Sequence, residues 1–315
     1  MIIPQNTYPP KNLIFLATLI ACLSACDPTD KWTEGEFLDY GNIDENNSDS
    51  AYDPNGDDSD FCNFIFLLEH RYSGANHESH LWKFKPEQGV LIDVGELDCP
   101  YSTSNDYLIA MTANRDGIMW FVSNTEKLFW ADPNSLECYS AGISAQDESI
   151  DLRSRSLAFM REDANSPDVL FLGSFYGWGS PEQAVLTKVT DKDLDLIAEI
   201  DGFTGYSASL ELAGTSDGRL YGQSFGLGEN SRFIEIDPKT ADVIKEWELP
   251  IETGSGFTFA TWKDDVWFFP STGTNGNAEI YTFDPDNEDF EYLMELPYTM
   301  VGSAAPTCAD ENTGS

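Results

Sequence analysis

The three histidines of this chain, His70, His77 and His80, fall within eleven residues of one another and are interleaved with Glu69 and Glu78. Imidazoles and carboxylates are ligands for zinc and copper, and a turn can bring residues three apart to one ion. No cofactor is expected beyond a divalent cation on this stretch or calcium on Asp284-Pro285-Asp286-Asn287-Glu288-Asp289, a charged hairpin turn that itself needs no ion. Chance clustering in a polar hairpin loop accounts for the same residues without an ion. With every imidazole in one place, no Ser-His-Asp relay can be assembled from distant parts of the chain. A second kind of chemistry is recognition by aromatic rings. Phe175-Tyr176-Gly177-Trp178-Gly179 sets an indole between two glycines, and Tyr101, Phe203, Tyr206 and Tyr298 stand in other turn-rich stretches. Rings among Gly and Asn suit a sugar or peptide ligand, which makes Phe175, Tyr176, Trp178, Tyr101 and Tyr206 the candidate binding residues.

The elements that must position these groups repeat. Phe233-Ile234-Glu235-Ile236-Asp237-Pro238 has counterparts in Leu81–Pro86, Leu128–Pro133, Leu186–Asp191 and Ile280–Pro285. Counted at Pro86, Pro133, Asp191, Pro238 and Pro285, the copies stand 47, 58, 47 and 47 residues apart, so one period carries an 11-residue insertion. A period in the forties built from short strands and turns is the mark of a β-propeller. The apolar positions within each copy predict a strand packed on both faces. The Asp-Pro that ends most copies is a turn, because Pro fixes φ and lacks the N–H that would continue a ladder.

Each period divides into four strands, shown best by Ser156–Met160, Val169–Phe175, Ala184–Thr190 and Leu194–Ile200. Small residues in the first strands, such as Ala110, Ser156, Ala158 and Ala260, fit crowding round a central axis. The first period lacks its first strand, since Phe61 begins directly as a second one. The spare lies at the other end, Gly302–Cys308, and would close the first blade. Residues 61–310 therefore predict an all-β, five-bladed β-propeller of four-stranded antiparallel blades. Strand order makes Cys62 and Cys308 neighbours at one rim, and Cys99 pairs with Cys138 by elimination, although the two are expected at different heights.

Residues 1–25 read as an address. Leu13–Ala21 is an apolar run too short to span a bilayer, and Leu23-Ser24-Ala25-Cys26 follows it. That ending resembles the bacterial lipobox, which implies acylation at Cys26, a membrane partner through a lipid anchor, and a place in the cell envelope, periplasmic or surface-exposed. Cys22 closes a second, poorer match. Residues 26–60 continue as a tether whose Asp27–Asp60 part holds twelve acids against Lys31 alone, too polar to fold and extended by self-repulsion. Residues 311–315 are a short polar tail. Over the whole chain, 55 acids against 17 bases give −38, which repels nucleic acid and anionic lipid headgroups.

Asp217-Gly218-Arg219-Leu220-Tyr221, followed by Phe233–Thr240, resembles the repeat of YVTN- and quinoprotein-like propellers. With the lipobox and the tether, the chain resembles the secreted propeller lipoproteins of environmental bacteria such as myxobacteria. The resemblance covers residues 61–310 and implies a fold, not an activity. The expectation is a membrane-anchored, monomeric module that binds a sugar, peptide or protein on one loop face, with no catalytic role. Five-bladed propellers also include glycosidases, which need two carboxylates aimed into the central funnel. The first strands here offer Glu211 in mid-strand, with Asp106 and Asp310 only at strand ends. A metal-binding envelope protein using His70, His77 and His80 is the other alternative.

Overall fold

The computed structural model describes residues 58–73, 76–101, 105–132, 135–147, 152–163, 165–176, 183–190, 194–204, 210–224, 231–251, 256–272 and 276–309. Cys26, Trp178 and Tyr206 lie outside them, as do the leader and most of the tether. A 3-10 turn at Asp58–Asn63 opens the domain, so three residues read as tether, and Cys62 with them, belong to this turn. The first blade then follows as β1 (Ile65–Ser73), β2 (Asn76–Lys85) and β3 (Val90–Glu96). Blade 2 comprises β4 (Leu108–Ala113), β5 (Met119–Ser123), β6 (Lys127–Ala131) and β7 (Cys138–Ser144). Blade 3 holds β8 (Gln146–Asp147), β9 (Leu152–Arg161), β10 (Asp168–Tyr176), β11 (Gln183–Val189) and β12 (Leu194–Thr204). Blade 4 is built from β13 (Leu210–Gly214), β14 (Leu220–Ser224), β15 (Ser231–Ile236) and β16 (Val243–Leu249). Blade 5 has β17 (Phe259–Trp262), β18 (Asp265–Phe268), β19 (Ala278–Asp284) and β20 (Asp289–Leu296), and β21 (Met300–Ala304) follows it.

Five antiparallel sheets result, and the first has the order β21-β1-β2-β3. Phe66 pairs with Ala304 and Leu68 with Gly302, so the end of the chain supplies the innermost strand of the first blade. The innermost strands touch in sequence round the axis, β21 to β4, β4 to β9, β9 to β13, β13 to β17 and β17 to β21. This closed cycle is the five-bladed propeller. Gly302 shows how tight it is, since a Cβ there would stand 3.1 Å from the Met111 amide nitrogen and 3.2 Å from Ala110 Cα. The closing strand is shorter than the expected Gly302–Cys308 run. Pro306 cannot donate to a ladder, so pairing with β1 stops at Ala304, and Pro306 bridges Ala113 of blade 2 instead.

Blade 3 departs from four strands. Part of the 11-residue insertion forms β8, which pairs with β9 through Gln146↔Arg153 and Asp147↔Leu152. The hydrophobic core is divided among the blade interfaces. One cluster joins blades 1 and 2 through Phe66, Leu81, Met111 and Phe129. Others join blades 2 and 3, 3 and 4, 4 and 5, and 5 and 1. Each middle strand thus buries both faces, one against each neighbouring blade, which is why its apolar residues do not simply alternate. Outer strands such as β3 and β16 are open to water.

Both disulfides are formed, Cys62–Cys308 and Cys99–Cys138. The expected difference in height between Cys99 and Cys138 is absent, because Asp98 and Glu137 form a parallel bridge that sets the cysteines side by side. At the end of the ring carrying the first-to-second-strand turns, Pro306–Ala309 are buried. The Thr307 hydroxyl donates to Asp168 Oδ1 of blade 3 (2.8 Å), Cys308 is bonded to Cys62, and Ala309 enters the core between blades 5 and 1. The tail therefore runs across this end. Ion pairs tie neighbouring blades there, with Arg219 to Asp286 at 3.3 Å and Lys263 to Glu87 at 2.6 Å. Among the described residues, no helix is long and apolar enough to cross a membrane.

Candidate functional site

The opposite end of the ring carries the second-to-third-strand hairpins and the blade-to-blade connections. Its best-defined cluster lies where blade 1 meets blade 2. Alternation along β1 sends Phe66 and Leu68 toward blade 2, and Ile65 and Leu67 toward blade 5. His70 continues the first set. On β2, His77, Ser79 and Leu81 share that side, and register places Tyr72 opposite His77 and His70 opposite Ser79. His70 and His77 are therefore diagonal neighbours on one face, close enough for long side chains to meet.

They meet edge to edge. His70 Nε2 and His77 Nδ1 are 2.8 Å apart, one donating to the other, with the rings only 7° from parallel. Both lie flat on the ring of Tyr107, the residue before β4, at 4.2 Å and 4.7 Å between centroids. Tyr72, 70% exposed, stands edge-on to His77 at 4.8 Å. Partial burial, and then the neighbouring His77, hold His70 below the ordinary imidazole range.

His80 is not part of this group. The period of two in a strand turns it to the other face of β2, where Nε2 pairs with Asp93 Oδ1 at 2.7 Å and the ring packs beside Trp82. The expected histidine loop is in fact two strands, with register through Ser73↔Asn76. Among the described residues, no group of three or more His, Cys, Asp and Glu side chains is placed to hold one ion. Asp284 likewise spends its carboxylate on its own turn, accepting from the backbone N–H groups of Asp286 (2.8 Å) and Asn287 (3.1 Å).

Of the aromatic candidates, Tyr101 borders the pair. Its hydroxyl is 3.0 Å from Ser79 Oγ, which also accepts from the Leu108 N–H, and burial pushes the phenol up to about 12. Phe175 is buried in the core between blades 3 and 4, since it belongs to a middle strand, and so has no face to offer a ligand. Tyr176, the last residue of β10, is half-buried, its phenol raised by burial and then by Glu199. Phe203 is fully buried beneath the guanidinium of Arg232, 4.0 Å from the ring centroid.

A second cluster, on the blade 5 side of blade 1, was not foreseen. Buried Glu69 accepts from the Trp82 indole N–H at 2.8 Å and from Arg71 Nε at 2.9 Å, and Tyr298 packs on Trp82. The alternation of Glu69 with Arg71 along one strand face was the available signal. Glu211, on innermost β13, is 6% exposed. Burial holds its carboxyl well above the usual range, only partly offset by the Thr258 hydroxyl, which itself lies 2.8 Å from Ser303 Oγ. Among the described residues, it is the sole carboxylate within an innermost strand.

Neither protein-family models nor curated sequences give a match to this chain. Several solved structures are similar to this chain at low identity. The Dos1 propeller is 13% identical with a TM-score of 0.39, over 73% of this chain and 55% of that one. TolB from Acinetobacter baumannii is 13% identical with a TM-score of 0.40, over 78% of this chain and 67% of that one. An oligogalacturonate lyase in complex with manganese is 9% identical with a TM-score of 0.37, over 73% and 67%. The chain spans little more than half the length of the first of these.

Proposed function

We propose that this chain is a monomeric binding module held outside the cytoplasm, tethered to a membrane by an acyl chain on Cys26 and carrying out no reaction of its own. Its ligand surface is the end of the ring that bears the hairpins and blade-to-blade connections. The observation that carries this reading is the cluster at the junction of blades 1 and 2. There two hydrogen-bonded imidazoles lie on the ring of Tyr107, and the exposed Tyr72 stands edge-on to one of them. Rings with polar edges, held by a rigid scaffold, are what recognition by side chains requires. The buried tail favours this end over the other, which is occupied by Pro306–Ala309. Two disulfides fit an oxidising compartment. Hydrolysis has less support, since Glu211 is buried and has no carboxylate partner among the innermost strands described.

The test is to probe glycan, peptidoglycan-fragment and peptide arrays with the full chain, disulfides intact, and to repeat the binding with Tyr72→Ala. Saturable binding weakened by the substitution supports the reading. Turnover of a bound glycan would replace it with the glycosidase.

A further inference from the structure

The His70–His77 contact has a consequence for what can be recognised. A neutral pair carries two N–H protons, and one lies in the shared bond. If His70 Nε2 donates it, the proton of His77 is on Nε2 and His70 Nδ1 is a bare acceptor. If His77 Nδ1 donates it, the roles of the two outer atoms are exchanged. Either way the pair shows the outside one donor and one acceptor, and the two switch together. Among the described residues, neither His70 Nδ1 nor His77 Nε2 has a hydrogen-bond partner.

We propose, resting on the reading of this face as the binding face, that the His70–His77 pair on Tyr107 is a donor–acceptor port for a neutral polyhydroxylated ligand, a glycan, and that it closes to that ligand on acidification. Adjacent sugar hydroxyls each donate and accept, so they match the port in either tautomer. The flat C–H face of a pyranose can pack on Tyr72, whose exposed ring stands 84° to that of His77. A peptide held by backbone pairing would engage the short edges that β1 and β2 leave beyond Glu69 and Ser79, and not the outer nitrogens of the pair. A polyanionic ligand is opposed by the charge of −38.

Acid acts by adding a third proton. The shared bond then persists with both outer nitrogens donating, the acceptor is lost, and the port carries a positive charge. Around the pair, Glu69 and Arg71 of β1 and Glu78 of β2 are turned by alternation to the other face of blade 1. Asp106, next to Tyr107, is 3.4 Å from Lys127 of β6.

The experiment is an array carrying neutral, uronic-acid and sulfated oligosaccharides together with peptides, probed with the full chain at about pH 8 and about pH 5, on either side of imidazole titration. His77→Phe is the comparison, since it keeps a ring on Tyr107 and removes both nitrogens; its thermal unfolding confirms that it folds. Neutral glycans should bind at the higher pH, at least about tenfold more weakly at the lower pH, and at least about tenfold more weakly with His77→Phe at the higher pH. Nitrogen-15 spectra of histidine-labelled protein should show coupling across the shared proton. Neutral glycans bound equally by His77→Phe, or no coupling, would overturn the port. Binding only of acidic glycans or only of peptides would overturn the ligand class while leaving the binding face intact, and binding of nothing would overturn both.

Discussion

Glu211→Gln isolates one proton at the axis of the ring. The wild-type carboxyl is almost fully buried and held well above 4.5 by desolvation, against a single hydrogen bond from Thr258. In the unfolded chain it ionises near its ordinary value. Above that value the folded state therefore keeps a proton that the unfolded state has lost, and stability falls as pH rises. The slope is about 1.4 kcal/mol per pH unit, so the loss from this group reaches about 2.7 kcal/mol between about pH 5 and about pH 7 if the folded carboxyl stays protonated throughout. Glutamine keeps the shape and cannot titrate. Urea unfolding of the two proteins should therefore diverge with pH, the difference moving in favour of Glu211→Gln over that window. All other acids cancel in the comparison. Parallel stability curves would refute the reasoning and mean that Glu211 is ionised in the folded ring.

Cys62→Ala with Cys308→Ala removes a cross-link between residues 246 apart, worth about 5.5 kcal/mol in the chain-entropy model, and should lower the urea midpoint sharply. Cys99→Ala with Cys138→Ala opens a separation of 39, worth about 3.9 kcal/mol, so the ordering of the two effects checks the account. Tyr101→Phe leaves the packing but takes the partner from Ser79 Oγ, and thermal unfolding should show a loss of about 1 kcal/mol. Cys26→Ala should move the protein from membrane to soluble fractions and abolish labelling by fatty acid; incorporation that persists and disappears only with Cys22→Ala would reassign the anchor.

The ring was legible because its signals repeat. Pro86, Pro238 and Pro285 follow the equivalent third strands β2, β15 and β19, and the spare strand near the C-terminus had only one place to go. What did not repeat was lost. The hairpin β8–β9 exists in one blade only, and neither Gln146 nor Asp147 has a strand-like pattern. At the site, residue types were read and register was not. A hairpin centred between Ser73 and Asn76 pairs Tyr72 with His77 and Glu69 with His80, which joins two histidines and sends the third to the far face. Clustered polar residues looked like a loop, whereas strands continue past the core and present polar groups beyond it. The contact with Tyr107 could not be read at all, since it depends on how blade 2 sits against blade 1.

The strand that completes the first blade has a consequence in time. Ile65–Ser73 is made early, and its inner edge has no partner until Met300–Ala304 exists. For nearly the whole of synthesis the first blade is a sheet with an open side, and its face toward blade 5 has nothing to pack on. Contacts so distant along the chain form slowly, because a long loop must close before they repay its entropy. Blades 2 to 4 have their neighbours in order and can pack as they appear. The ring thus closes last at its beginning, and loss of Met300–Ala304 would leave the first blade, with its histidine pair, unfinished.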